Sequence, residues 1–183
     1  YAGHKASEMR AGQSLPDWGA GHVHPDANSF VLFGNGEYLL RDDGNSPKYT
    51  QNHNTLLIDG EGQLGEGSTW FNYSSADEGG APEIYTAYST PALDYMVGDA
   101  AAAYAADSGL AQYTRHLIYL KPDMLLVVDE VETTGAHDVE LRFFPEGQSL
   151  SQSGGVLTFT GGSSRLSAAT LSGGGNFRAE DVA

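Results

Sequence analysis

The chain has 183 residues, a formal net charge of −15 and no cysteine. A chain of this length can form one sizeable domain with its own core, and without cysteine it has neither disulfide bonds nor thiolate metal ligands. The negative charge argues against nucleic-acid binding, which needs a basic surface, and no apolar run reaches the roughly 18 residues that span a bilayer.

Residues 1–20 are polar and irregular, with several glycines and a proline, and they predict a loop-rich segment ahead of the first strand. Because the first residue is Tyr1, we expect a processed product or a fragment. Trp18 is a candidate substrate contact, since an aromatic ring suits the apolar face of a sugar. A tryptophan in this position more often covers the edge of a core.

The first predicted strand end carries two histidines, His22 and His24, in a block that also contains Asn28. Side chains two residues apart on an extended chain share a face, so both imidazoles can reach one site. Asn28 is a second candidate substrate contact. A hairpin follows, with apolar runs over residues 30–33 and 38–40 around a Gly-Asn-Gly turn.

Two more polar residues stand at the ends of predicted strands. Asp42 follows the hairpin, and His53 precedes a strand over residues 55–58. Two histidines and one carboxylate are a common set of zinc ligands. Each residue alone is more often an ordinary hydrogen-bonding or turn residue. Their position at successive strand ends is what favours a shared site.

The glycine-rich stretch over residues 59–67 predicts a surface loop beside this site, where Gln63 is a candidate hydrogen-bonding partner for a sugar. Alternating aromatic and small residues predict short strands over 69–73, 84–88 and 94–97. The alanine-rich segment over 100–106 is too short for an isolated helix, so we expect an edge strand or a turn there.

The strongest predicted strands cover residues 112–120, 124–131 and 137–144, and Lys121-Pro122-Asp123 turns the first pair. Within them, Arg115 and His116 are expected to be strand-face residues. Asp129 and Glu130 are adjacent, so they point to opposite faces of a strand, which argues against a paired-carboxylate glycosidase.

Residues 149–183 contain two predicted strands, 157–159 and 166–168, and a Gly/Ser-rich end that we expect to be truncated. About a dozen short strands and no convincing helix predict an all-β fold. We expect residues 1–183 to form a single antiparallel β-sandwich of large stacked sheets.

Three segments carry a family resemblance: residues 21–30, 38–44 and 53–63. Together they resemble the β-sandwich part of the heparinase II/III-like polysaccharide lyases, a group that includes alginate and oligoalginate lyases. Residues 115–123, running into 127–129, are similar to the next two strands of that family. The resemblance implies the carboxyl-side domain of an (α/α) toroid plus β-sandwich lyase, with the helical toroid absent from this chain.

The resemblance also implies roles for individual residues. His24, Asp42 and His53 match positions that hold one structural zinc ion. His22 matches a substrate-facing histidine near the scissile bond, and Tyr49 lies in a loop where relatives often carry a substrate-contacting tyrosine. The toroid would supply a catalytic tyrosine, an asparagine or glutamine, and a further histidine.

The implied reaction is β-elimination at a uronic acid, in a polysaccharide of the alginate or glycosaminoglycan type. An acidic polysaccharide or oligosaccharide and the toroid of the same parent protein are the expected partners. We expect a periplasmic or secreted bacterial protein, and an isolated domain that is incomplete or inactive as an enzyme.

Two other classes of protein remain open. A cupin-like metal enzyme would need a glutamate a few residues after the second histidine, where positions 28 and 29 are Asn and Ser. A non-catalytic carbohydrate-binding sandwich would use the metal only structurally. It would bind sugar through Trp18, Trp70 or Tyr73, and a His22→Ala change would leave its function intact.

Overall fold

A computed structural model describes residues 24–42, 48–67, 82–147 and 149–171. Within these ranges the chain forms short antiparallel strands and two 3₁₀ helices, Thr50–Asn52 and Ala101–Ala103. The strands are β1 (Leu32–Gly34), β2 (Glu37–Leu40), β3 (Leu56–Ile58), β4 (Glu83–Ser89), β5 (Leu93–Asp99), β6 (Leu110–Leu120), β7 (Met124–Thr133), β8 (Val139–Leu141), β9 (Ser149–Ser153), β10 (Val156–Gly161) and β11 (Ser164–Ala169). The all-β antiparallel sandwich predicted from the sequence is confirmed.

The largest sheet has the strand order β4-β5-β6-β7, and β9, β10 and β11 form a second antiparallel sheet with β10 in the centre. Two smaller pairs, β1 with β2 and β3 with β8, complete the described part of the fold. An isolated bridge between Leu40 and Pro145 links the end of β2 to the segment after β8. This link brings the end of the first hairpin close to the start of β3.

The first hairpin forms for a local reason. Asn35 and Gly36 lie between β1 and β2 with φ angles of 55° and 85°. A two-residue turn with positive φ at both positions matches the twist of antiparallel strands, and Asn-Gly is the sequence that adopts it most readily. The predicted hairpin is therefore confirmed, with its first strand shortened to Leu32–Gly34.

The core lies between β3, β6 and the second 3₁₀ helix. Its buried members are Leu56, Ile58, Ala100, Ala103, Tyr104 and Tyr113. Tyr113 on β6 is fully buried, and Tyr104 donates a hydrogen bond of 2.6 Å to the carbonyl of Leu56. Burying these side chains fixes β3, and with it the residues that immediately precede β3.

The structure corrects two element predictions. Residues 101–103 form a 3₁₀ helix where an edge strand or turn was expected, because Asp99 accepts a hydrogen bond from the Ala101 amide and Ala103 packs into the core. The strand expected over 137–144 is only three residues long. Its ends leave the ladder, since the amides of Asp138 and Phe144 bond to the side chains of Asp59 and Asn54.

No strand was predicted where β9 lies; it pairs with β10 across the turn at Gly154-Gly155. The strand predicted over residues 69–73 lies outside the described residues. In the part of the chain that the structure describes, no helix is long and apolar enough to cross a membrane.

Candidate functional site

The segment that leads into β3 carries Tyr49 and His53, and the loop over residues 62–67 holds it in place. The Gln63 amide donates to Thr50 Oγ1 at 2.7 Å, and the Thr50 amide donates to Glu66 Oε2 at 3.0 Å. A Cβ atom on Gly62 would overlap the Thr50 side chain, so only glycine permits this approach. The backbone before His53 is therefore fixed by hydrogen bonds to the next loop.

Asn54 ties together three segments that surround the site. Its Nδ2 donates to the carbonyls of Phe30 and Arg41 at 2.7 and 2.9 Å, and its Oδ1 accepts from the Phe144 amide at 2.7 Å. The Asn54 side chain is fully buried, so these hydrogen bonds satisfy groups that have no access to water. The sequence indicated the segment but not this role for Asn54.

Gln63 holds the turn that follows His24. Its Oε1 accepts from the Ala27 amide at 2.8 Å, and its Nε2 donates to the Ala27 carbonyl at 2.9 Å. The side chain is buried, with a third hydrogen bond of 3.3 Å from Nε2 to the Tyr104 hydroxyl. In this geometry both amide atoms of Gln63 are engaged inside the protein, and its predicted contact with a sugar stays a prediction.

Asn28 lies in the same turn, in the left-handed region with a φ of 59°. Its Nδ2 donates to the carbonyls of Gly98 and Tyr113, both at 3.2 Å, and its own carbonyl accepts from Arg115 at 2.8 Å. Asn28 therefore fastens the turn after His24 to strands β5 and β6. Its predicted role toward substrate is likewise not tested by these contacts.

His24 and His53 lie side by side although 29 positions separate them. His24 Nδ1 is 3.3 Å from His53 Nε2, and the two rings meet edge to face at a centroid distance of 5.2 Å. His53 is almost fully buried, at 1 % exposure. The predicted convergence of these two imidazoles is thus present in the structure.

Asp42 approaches the same pair from the other side of His53. Its Oδ2 is 3.7 Å from His53 Nδ1, the ring nitrogen opposite the one that faces His24. The Asp42 side chain is 41 % exposed. A carboxylate at this ring nitrogen orients an imidazole and favours the tautomer in which the opposite nitrogen is the electron-pair donor.

Asp26 is a further acidic residue at this site that the sequence interpretation did not single out. Burial raises the pKa of its carboxyl above the usual value, and the nearby His53 and His24 oppose that rise. Its only sequence signal was its position two residues after His24, within the block over residues 21–30. A half-buried carboxyl group therefore lies near the imidazole pair.

These residues suit zinc in their donor chemistry, since imidazole nitrogen and carboxylate oxygen are its usual ligands in a protein without cysteine. With Zn–N distances of about 2.0–2.1 Å, two nitrogens of a tetrahedral site lie roughly 3.3–3.4 Å apart, which matches the His24–His53 distance of 3.3 Å. Among the described residues, no group of three or more His, Asp or Glu side chains is placed so that it could hold a metal ion.

Tyr49 lies on the same braced segment as His53 and is 37 % exposed. Its ring covers Gly67, where an added Cβ would lie 3.2 Å from the ring. His22 and Trp18, the other residues predicted to meet substrate near this site, lie outside the described residues.

Arg115 on β6 is a structural residue beneath the site, as its strand-face position predicted. Its Nε and Nη2 atoms donate to the two carboxylate oxygens of Asp129 at 2.7 and 2.9 Å. Its Nη1 donates to the carbonyls of Asn28 and Asn54. One buried guanidinium therefore joins β6 and β7 to the two turns that carry His24 and His53.

Glu130 points to the other face of β7, where Gln112 and His116 contact it. Asp129 and Glu130 thus lie on opposite faces, as expected for neighbours on a strand. The argument against a paired-carboxylate hydrolase is confirmed for this pair.

Comparison with known families agrees with the fold. Residues 2–182 match the family model described as Heparinase II/III-like, C-terminal. The match covers nearly the whole chain and includes every residue named in the site.

Proposed function

The chain belongs to the heparinase II/III-like family, whose C-terminal domain it carries, and from this premise we propose that it cleaves a uronic-acid-containing polysaccharide by β-elimination as part of a lyase. The family is one of polysaccharide lyases. Alginate-type and glycosaminoglycan-type polysaccharides are the candidate substrates, and the parent protein would be periplasmic or secreted.

The observation that best supports this proposal is the convergence of His24, Asp42 and His53. His24 and His53 come from separate segments and face each other, Asp42 approaches the opposite ring nitrogen of His53, and Asn54 and Gln63 hold the backbone of these segments. A protein that merely folds as a sandwich has no need to bury His53 against a second imidazole, because a buried imidazole loses hydration.

One zinc ion is assigned to the gap between His24 Nδ1 and His53 Nε2. Asp42, the third ligand that the family resemblance implies, lies at the opposite ring nitrogen of His53, so its carboxylate would have to turn toward the ion to coordinate it. When bound, zinc would supply structural cross-linking of the three segments rather than Lewis-acid chemistry. The chain's own residues already do part of this work, since Asn54 and Gln63 fix the backbone on both sides of the imidazole pair.

β-Elimination needs three contributions at the uronic acid. The sugar carboxylate must be neutralised, a base must remove the weakly acidic C5 proton, and an acid must protonate the departing glycosidic oxygen. His22 is assigned to proton transfer or to neutralisation, because imidazole titrates near neutral pH. Tyr49, partly exposed on the braced segment, is assigned to substrate contact. The helical toroid of the parent protein would supply the remaining groups.

The zinc assignment is tested by elemental analysis of the purified protein and of a His24→Ala, His53→Ala double variant. We expect about one zinc per chain in the parent and a loss of zinc in the double variant. A His137→Ala variant is the control, because His137 pairs with Asp59 away from this site and should keep its zinc. Equal zinc in all three proteins would exclude these histidines as ligands.

The reaction is tested by ultraviolet absorbance of the unsaturated uronate product, measured with the complete protein on alginate and on glycosaminoglycans. We expect product from one of these polymers, and a loss of product in His22→Ala at unchanged zinc content. A His22→Ala protein that retains full activity would instead favour the carbohydrate-binding interpretation.

A further inference from the structure

An open pocket lies beside Asp42, between the end of β2 and the segment that follows β8. It is lined by Arg41, Asp42, Phe144, Pro145, Glu146 and Gly147. Asp42 also approaches His53 Nδ1 at 3.7 Å, so this residue links the pocket to the imidazole pair.

The walls of the pocket are held by backbone contacts on both sides. The Arg41 amide donates to the Phe144 carbonyl at 3.0 Å, and the Glu146 amide donates to the Leu39 carbonyl at 3.1 Å. The Arg41 carbonyl in turn accepts from Asn54. Arg41 and Glu146 therefore extend from backbone positions that are already fixed before a ligand arrives.

The two charged side chains of the pocket form an ion pair, Arg41 Nε with Glu146 Oε2. The pair is open to solvent, with 56 % of the Arg41 side chain and 48 % of the Glu146 side chain exposed. An exposed ion pair contributes only about 0–1 kcal/mol, so a carboxylate from a ligand can replace Glu146 at the guanidinium at little cost. Arginine suits this exchange, because its planar fork binds carboxylates in a bidentate manner.

Arg41 is also the accessible cation near the site among the described residues. Lys48, the other basic residue between β2 and β3, is 6 % exposed, and its ammonium nitrogen is enclosed. Arg115 is buried against Asp129. In a chain with a net charge of −15, an acidic sugar needs a local positive charge, and Arg41 presents one.

We propose that Arg41 forms a subsite for the carboxylate of a uronic acid residue, and that Glu146 competes with that carboxylate for the guanidinium. The subsite would select acidic over neutral sugars next to the catalytic position. This inference rests on the proposed function and specifies which residue of this chain recognises the charge of the substrate.

The test measures the affinity of a uronate oligosaccharide by calorimetry in the complete protein, in a His22→Ala background that limits turnover. Arg41→Met is expected to weaken binding at least about tenfold, as for hydrogen bonds to a charged group. Glu146→Gln is expected to tighten binding about twofold to fivefold, because it removes the competing carboxylate. Glu146→Gln should have no effect once Arg41 is methionine.

Two controls separate recognition from structure. Glu140→Gln breaks a similar Arg–Glu pair, that of Glu140 with Arg142, outside the pocket, and should leave the affinity unchanged. The same oligosaccharide with its carboxylates reduced to alcohols should bind Arg41→Met and the protein with Arg41 intact equally. Circular dichroism and the thermal midpoint of each variant verify that it folds.

The outcomes distinguish this inference from the proposed function. If the parent releases unsaturated product but Arg41→Met binds the acidic oligosaccharide as tightly as before, the subsite is wrong and the lyase assignment stands. If Glu146→Gln weakens binding, the ion pair is structural and the competition is wrong. If the complete protein without substitutions neither binds nor cleaves any uronate polymer, the proposed function and the proposed subsite are both wrong.

Discussion

Gln63 illustrates how one buried amide positions a functional residue elsewhere in the chain. It reaches across 36 positions to hold both backbone groups of Ala27, three residues after His24. A Gln63→Ala variant leaves the Ala27 amide unpaired, at a cost of about 1–3 kcal/mol, whereas the Ala27 carbonyl keeps its hydrogen bond from Thr55 Oγ1. We expect a loss of about 1–3 kcal/mol in the free energy of unfolding, measured by urea denaturation.

Gln112→Ala is the matched control for that prediction. Its amide bonds to Thr114 and to the exposed Glu130 on the surface of the large sheet. Removing this half-buried amide at the sheet surface should change the free energy of unfolding by no more than about 0.5 kcal/mol. Equal losses in the two variants would show that Ala27 does not depend on Gln63.

Tyr104 makes the stability sensitive to alkaline pH. Burial raises the pKa of its hydroxyl to about 12, whereas an unfolded tyrosine titrates near pH 10. Because the folded pKa is the higher one, its contribution to stability is complete below about pH 10 and is lost as the pH rises toward about 12. Tyr113 is shifted in the same direction by burial.

We therefore expect the thermal midpoint to fall steeply above about pH 10. A Tyr104→Phe variant should be less stable at neutral pH, since it loses the hydrogen bond to Leu56. Its thermal midpoint should then fall less than that of the unsubstituted protein as the pH rises above about 10. Tyr85→Phe, at a half-exposed tyrosine, should follow the parent curve. If the thermal midpoints of the unsubstituted protein and of Tyr104→Phe fell in parallel above about pH 10, the alkaline loss of stability would not come from Tyr104.

At the level of elements, the large sheet is joined to the site by the Arg115–Asp129 pair. The guanidinium is buried between β6, β7 and the turns at Asn28 and Asn54. Phe30, Tyr113 and Phe143 surround it with ring centroids 5.5–5.9 Å from its central carbon. The pair thus connects strand pairing to the positions of His24 and His53.

Removing one partner of this pair should be costly, because the other charge stays buried. We expect Arg115→Met to lower the free energy of unfolding by about 3–5 kcal/mol, and an Arg115→Met, Asp129→Leu double variant to recover part of that loss. Arg165→Met, at an exposed position on β11, is the control for loss of a positive charge. A double variant less stable than Arg115→Met alone would contradict this account.

For the whole molecule, the net charge of −15 predicts a stability that depends on salt. Carboxylates on one small domain repel each other, and salt screens that repulsion over about 10 Å at 0.1 M. We expect the thermal midpoint to rise by a few degrees between low salt and about 0.2 M NaCl and then to level off. KCl should give the same rise. A thermal midpoint that stays flat or falls over this range would show that charge repulsion does not limit the stability.

The sequence by itself determined the features that depend on neighbours along the chain. Asn35-Gly36 dictated the first hairpin, because few other residues adopt two successive positive φ angles. Aromatic, β-branched and other apolar residues predicted β4 through β7, since such side chains favour the pleated surface of a strand. The block over residues 21–63 was enough to indicate the family and the convergence of His24 with His53.

Only the tertiary structure decided what surrounds those histidines. The hydrogen bonds of Asn54, Gln63 and Arg115 connect residues 13 to 90 positions apart, and no local pattern in a sequence encodes such pairs. The burial of Asp26 beside the imidazoles and the pairing of Arg41 with Glu146 are of the same kind. Local propensity selects the strands, but the packing of distant segments decides which polar groups lose water, and so which of them form the site.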